Sequence, residues 1–220
     1  MFKAVIFDLD NTLIDFMKMK HMSIEAAASA MIDSGLEIKK EKIVKILFKL
    51  YDIYGLEDKT IFQKFLKETT GKVEYRILAN AINAYRRVRT GFLEPFPHVV
   101  ETLIKIKQKR VKLAIVSDAP GLKAWLRLTA MKIDTFFDVV VTFEDTKKLK
   151  PSRKPFMEAV NQLGVKPEEC LMIGDIPERD ITGAKKLGMK TVFARYGSPI
   201  KGKIESDYEI NDISELVEIV

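Results

Sequence analysis

Cysteine is all but missing from these 220 residues: Cys170 stands alone. One thiol excludes an intramolecular disulfide and a cysteine-based zinc site, and it fits a reducing compartment. It lies in the apolar run ECLMIG, where a buried structural thiol is expected. Long hydrophobic runs are missing too. None approaches the roughly 18 residues that a membrane span requires. The N-terminus enters a short strand pattern directly, with no basic segment ahead of a long apolar one. No signal peptide is expected, and the chain reads as a soluble, cytoplasmic protein. Internal repeats and low-complexity segments are absent as well.

With 47% hydrophobic residues, the chain can bury a sizeable core. A net charge of +6 permits attraction of anions, from phosphorylated metabolites to nucleic acid. The lysines, however, are interspersed with glutamates along segments such as LEIKKEKIVKILFKL, which is the pattern of solvated helix faces. A nucleic-acid or membrane partner is therefore not expected.

Two regions carry different periods. From about Phe16 to Arg89 the pattern is helical throughout, in segments that stop at Gly35, Gly55 and Gly71 before a fourth, EYRILANAINAYRRVR. Apolar residues recur there every three or four positions, and period-two alternation is absent, as in a bundle of about four helices. Elsewhere short apolar runs alternate with helical patterns: KAVIFD, VKLAIVSD, FDVVVT, CLMIGD and KTVFAR, with a late SDYEI. Strands apolar on both faces and separated by helices predict a Rossmann-like parallel α/β sheet flanked by helices. The expected division is an α/β core of residues 1–15 and 92–220, with an all-helical domain of residues 16–91 inserted after the first strand. The crossings would lie at Leu13–Asp15 and in Thr90–Pro97.

Ligands of open α/β sheets bind beyond the carboxyl ends of strands at a topological switch point. The predicted strands end in chemistry there. Asp8 and Asp10 follow the first, Ser117 and Asp118 the second, and a loop carrying Lys150 the third. Asp175 follows the fourth, with Asp180 five residues on. These groups meet only if the first strand is central, with the second and fourth on either side. DLDNT opens like a calcium loop, but the sixth and twelfth positions hold Leu13 and Met19 instead of Gly and Glu, which excludes that motif.

FDLDNTL, VSD, LKPSRKPF and MIGDIPERDITGAKKLGMKT resemble, in order, the four motifs of the haloacid dehalogenase superfamily of aspartate-nucleophile hydrolases. The resemblance spans nearly the whole chain, and the helical insertion sits where relatives carry a helical cap. Ser152 and Arg153 depart from the Asp-Pro that many relatives have after Lys-Pro. Lys154–Pro155 brings a second lysine close, though spacing to Phe156 favours Lys150.

The resemblance implies a magnesium ion held by the Asp8 and Asp175 side chains and the Asp10 backbone carbonyl. A cation suits the place: two unit charges 4 Å apart repel by about 4 kcal/mol at an effective dielectric of 20. It further implies Asp8 as nucleophile and Asp10 as general acid and base. Ser117, Asp118 and Lys150 would bind the substrate phosphate, and Asp180 would orient Lys150 or a water.

The expected activity is a phosphatase acting on a small phosphorylated metabolite, in a monomer or homodimer. Three alternatives stand beside it: a phosphoglucomutase-like phosphotransferase, a 2-haloacid dehalogenase, which would not need an acid at Asp10, and a non-catalytic anion- or nucleic-acid-binding protein. His21, Lys18, Tyr51, Tyr54, His98, Trp125 and the YRRVR segment read as ordinary surface or core positions.

Overall fold

The computed structural model describes residues 2–220, which fall into two compact units: Met1–Phe16 with Glu94–Val220, and Met17–Leu93. No helix among the described residues is long and apolar enough to cross a membrane.

The second unit is all helical. It carries α1 (Phe16–Asp33, whose first residue belongs to the other unit), α2 (Lys40–Tyr54), α3 (Ile61–Thr70) and α4 (Tyr75–Gly91). Each turns one apolar stripe inward at three- and four-residue spacing. Ile24, Ala27, Ala28 and Met31 of α1 are buried in one cluster with Leu47 and Tyr51 of α2, Phe65 of α3 and Leu78 of α4. Gly55 and Gly71 end α2 and α3 with φ of 87° and 76°, a backbone region that costs glycine little.

Lys20 of α1 is buried in this unit. Its Nζ donates to the Leu56 carbonyl (2.6 Å) and the Tyr85 hydroxyl (3.0 Å) and stands 3.8 Å from the centre of the Tyr51 ring. An ammonium withdrawn from water thus gains an aromatic face from α2, a hydroxyl from α4 and a carbonyl from the loop after α2.

The first unit is built on six parallel strands: β1 (Ala4–Phe7), β2 (Lys112–Val116), β3 (Val139–Val141), β4 (Cys170–Gly174), β5 (Lys190–Ala194) and β6 (Tyr208–Ile210). Their order in the sheet is β3-β2-β1-β4-β5-β6. The helices α5 (Val99–Gln108), α6 (Gly121–Ala130), α7 (Phe143–Thr146), α8 (Arg153–Leu163), α9 (Thr182–Lys185) and α10 (Leu216–Ile219) occupy the connections. Every residue of β1 and β4 is buried, which is why these strands read as continuous apolar runs. Burying a Phe or Ile side chain such as Phe7 or Ile173 stabilises by about 1.5–3 kcal/mol. Cys170 is buried here, its thiol donating to the Lys166 carbonyl (3.3 Å), and burial beside Glu169 and Glu168 pushes it up to about 12.

This order realises the expected fold class, with β1 central between β2 and β4. The register aligns the polar strand ends. Phe7 pairs with Ile115 on one side and Ile173 on the other. Asp8 follows this level by one residue, Ser117 and Asp175 by two. The outgoing and returning chain also lie side by side in this unit, where the Phe96 amide donates to the Leu13 carbonyl (2.9 Å) and Ile14 bridges Pro95.

Candidate active site

Asp8 leaves the end of β1 into the sheet edge, with its amide donating to the Ile173 carbonyl of β4 (2.9 Å) and its side chain buried. Lys150 reaches it from the loop after β3. The Lys150 Nζ lies 2.5 Å from Asp8 Oδ1 and 2.7 Å from Asp180 Oδ1, and the lysine side chain is fully enclosed. Its own amide donates to Asp118 Oδ1 (2.8 Å). One lysine thus ties three of the strand-end loops together. Of the two lysines offered by the sequence, Lys154 is exposed on α8.

Asp175 follows β4 with no exposed surface, and neither of its carboxylate oxygens has a hydrogen-bond partner. Asp180 is equally buried, on the π-helical turn Pro177–Ile181, and its Oδ2 accepts from the Ile176 amide (3.1 Å). Wide turns of this kind re-aim a side chain at the point where they occur. Gly174 makes room for it, because a β-carbon there would overlap the Asp180 carboxyl group.

Ser117 is buried at the end of β2, with its Oγ accepting from the Ala119 amide (3.1 Å). The Asp10 Oδ2 lies 2.7 Å from Nη1 of Arg127 on α6.

The electrostatics are those of an acid-rich pocket. Asp8, Asp118, Asp175 and Asp180 face two cations, Lys150 and Arg179, whose Nη1 is 3.4 Å from Asp118 Oδ2. With all groups ionised, two negative charges are left over. Burial pushes the Asp175 carboxyl up to about 8, helped by the charges of Asp8 and Asp180 and opposed by Lys150 and Arg179. Burial likewise raises Asp180, with Asp8 adding to the effect, although Lys150 opposes it. Burial alone would lower the Lys150 ammonium, but Asp180, Asp8 and Asp118 more than reverse this and raise it. Arg179 is held charged in the same way, by Asp8, Asp180, Asp118 and Asp175 against its own desolvation.

One oxygen each from Asp8, Asp175 and Asp180 lie within 4.8 Å of one another. Asp8 Oδ2 and both Asp175 oxygens are buried and lack donors. Hard oxygen donors, orphaned and bearing surplus negative charge, fit a small divalent cation such as magnesium.

The other polar positions weighed from sequence have local partners. His98, at φ 63° ahead of α5, sets its Nδ1 2.9 Å from the Asp212 carboxylate. In the helical unit His21 lies on the Phe48 ring at 4.1 Å, and the Lys64 Nζ stands 3.8 Å from the centre of the Tyr54 ring.

Two charged residues escaped the sequence reading. Arg127 carries a signal, because it lies between Ala124 and Leu128 on the buried stripe of α6. Arg179 adjoins Asp180, and only the turn reveals that it faces the acids.

A parallel sheet of this order, with a buried Asp–Lys–Asp bridge and a further aspartate at its switch point, defines an α/β protein with an acid-rich ligand site at the carboxyl ends of its strands. The chain belongs to the haloacid dehalogenase-like hydrolase family, whose model matches residues 5–194. Among its relatives, a glyceraldehyde 3-phosphate phosphatase of Methanocaldococcus jannaschii is 35% identical, over 100% of this chain and 97% of the relative. A protein of the same description from Methanopyrus kandleri is 34% identical, over 100% and 97%. The crystal structure of a HAD phosphatase from Thermococcus onnurineus superposes with a TM-score of 0.70 at 27% identity, covering 99% of this chain and 97% of that one.

Proposed function

We propose that this hydrolase is a magnesium-dependent phosphatase that takes a short phosphorylated metabolite, with glyceraldehyde 3-phosphate the first substrate to try. The observation that carries the reading is the Lys150 bridge: one enclosed ammonium on both Asp8 and Asp180, beside an Asp175 whose oxygens have no donor. The curated relatives support the substrate class through what they are described as hydrolysing.

Asp8 would attack phosphorus, forming an aspartyl–phosphorus bond as the ester P–O bond breaks. Asp10 would give its proton to the departing alkoxide, so that a neutral alcohol leaves. It would then take a proton from the water that attacks the phosphoryl group, which regenerates Asp8 and releases phosphate. Lys150 holds Asp8 Oδ1 and offsets negative charge as the phosphate approaches, and Ser117 would donate to a phosphoryl oxygen. Fixed donors and cations of this kind are the main catalytic resource in phosphoryl transfer. Asp8, Asp175 and the Asp10 carbonyl would hold the magnesium ion, which supplies the charge neutralisation that lets a phosphate dianion come near a carboxylate. Asp180, bonded to Lys150, would keep the ammonium aimed at Asp8. The helical unit, residues 16–91 by sequence and Met17–Leu93 by compactness, would act as the cap that selects substrate.

The test is hydrolysis of glyceraldehyde 3-phosphate, p-nitrophenyl phosphate, other sugar phosphates and inorganic pyrophosphate, with and without magnesium. Turnover that needs the ion and vanishes in Asp8→Asn supports the assignment. Unchanged turnover in that variant rejects Asp8 as nucleophile.

A further inference from the structure

Arg127 is the largest side chain among those fully buried, at 1% exposure, and it is a cation. It stands on α6 with Ala124 and Leu128 buried on the same stripe, where an aliphatic residue would pack without any desolvation cost. Withdrawing a guanidinium from water costs several kcal/mol unless a partner returns it. Asp10 is a partner of this kind, its Oδ2 2.7 Å from Nη1, and the guanidinium carbon lies 4.6 Å from the centre of the Phe16 ring. The ring and the enclosure fix the plane of the fork.

The backbone around Asp10 is fixed independently. The Asn11 amide donates to the Ile14 carbonyl (2.7 Å), and the Tyr196 hydroxyl donates to the Thr12 carbonyl (2.7 Å). Gly197 packs so tightly on the Asn11 carbonyl that no β-carbon fits between them. With the loop immobilised, the freedom left to Asp10 lies in its side-chain torsions, and these are what Arg127 constrains.

We propose that Arg127 is a positioning residue for proton transfer: it holds the Asp10 carboxyl in the rotamer from which that group serves the ester oxygen. The inference rests on the reading of Asp10 as acid and base given above. It assigns to α6 a role that the motif residues do not contain.

Leaving-group chemistry separates this role from simple packing. An alkoxide needs a proton on departure, whereas p-nitrophenolate leaves well without one. We therefore compare kcat/KM for glyceraldehyde 3-phosphate with that for p-nitrophenyl phosphate on the same preparation, so that any misfolded fraction cancels in the ratio. Asp10→Asn, Arg127→Met and Arg127→Lys are the variants.

The alkyl-to-aryl ratio is expected to fall about 10²-fold in Arg127→Met, within the range of acid–base contributions. It should fall similarly in Asp10→Asn, and only about tenfold in Arg127→Lys, which keeps the charge and loses the fork. A wild-type ratio in Arg127→Met, with a lowered one in Asp10→Asn, overturns the inference and leaves the acid–base reading standing. A wild-type ratio in Asp10→Asn overturns that reading itself. If Arg127→Met does not fold, Arg127→Lys decides alone: a tenfold drop supports positioning, and an unchanged ratio refutes it.

Discussion

Magnesium and a proton should compete for Asp175. Burial, with Asp8 and Asp180 nearby, moves this carboxyl from an ordinary 3.8 up to about 8. A ligand carboxylate must be ionised, so the ion can bind only as the proton leaves. At pH 7 a group with that pKa is about nine-tenths protonated, so each ion bound should release about 0.9 proton. Apparent affinity should rise about 90-fold between pH 6 and pH 9, and level off above it.

The sign for stability follows from the same shift. A raised folded-state pKa contributes stability that is complete below about 3.8 and is lost as pH climbs through about 8. On this group's account the metal-free protein melts lower at pH 9 than at pH 6, and saturating magnesium raises the melting temperature most at pH 9. Calorimetric titration of magnesium in two buffers of different ionisation enthalpy reads the proton count directly. Affinity constant within twofold from pH 6 to pH 9, with no proton released, would refute the reasoning.

Two further outcomes concern the fold around the site. Lys150→Met leaves Asp8 and Asp180 buried together without their shared cation, and should cost about 3–5 kcal/mol in chemical denaturation. Adding Asp180→Asn should recover part of that loss, and strict additivity of the two substitutions would contradict the bridge. Gly174→Ala drives a methyl group into the Asp180 carboxyl and should destabilise by about 1–3 kcal/mol. An unchanged melting curve would mean that Asp180 is not held where it stands.

The sheet could be read from the chain because its strands are apolar on both faces. Runs such as CLMIG tolerate no period-two alternation when helices cover the sheet, and the polar residue that ends each run then marks the strand's carboxyl edge. That is why Asp8, Ser117, Lys150, Asp175 and Asp180 could all be named as site candidates from spacing. The helices of the second unit were equally plain, since Gly55 and Gly71 stop amphipathic stripes.

Arg127 and Arg179 were not legible, for a different reason. In a chain with 37 basic residues, a single arginine reads as a solvated charge. Its burial depends on a partner supplied by the tertiary fold, and Asp10 lies 117 residues from Arg127. The π-helical turn that carries Arg179 likewise differs from an ordinary helix start by one residue of backbone, which side-chain pattern does not record.

Covalent phosphorylation of Asp8 is the claim most directly open to measurement. Rapid quenching of Asp10→Asn during turnover, followed by borohydride reduction and peptide mass spectrometry, should find homoserine in place of Asp8 and at no other aspartate. Phosphate released with Asp8 unmodified at every quench time, or label confined to Asp175 or Asp180, would contradict the account.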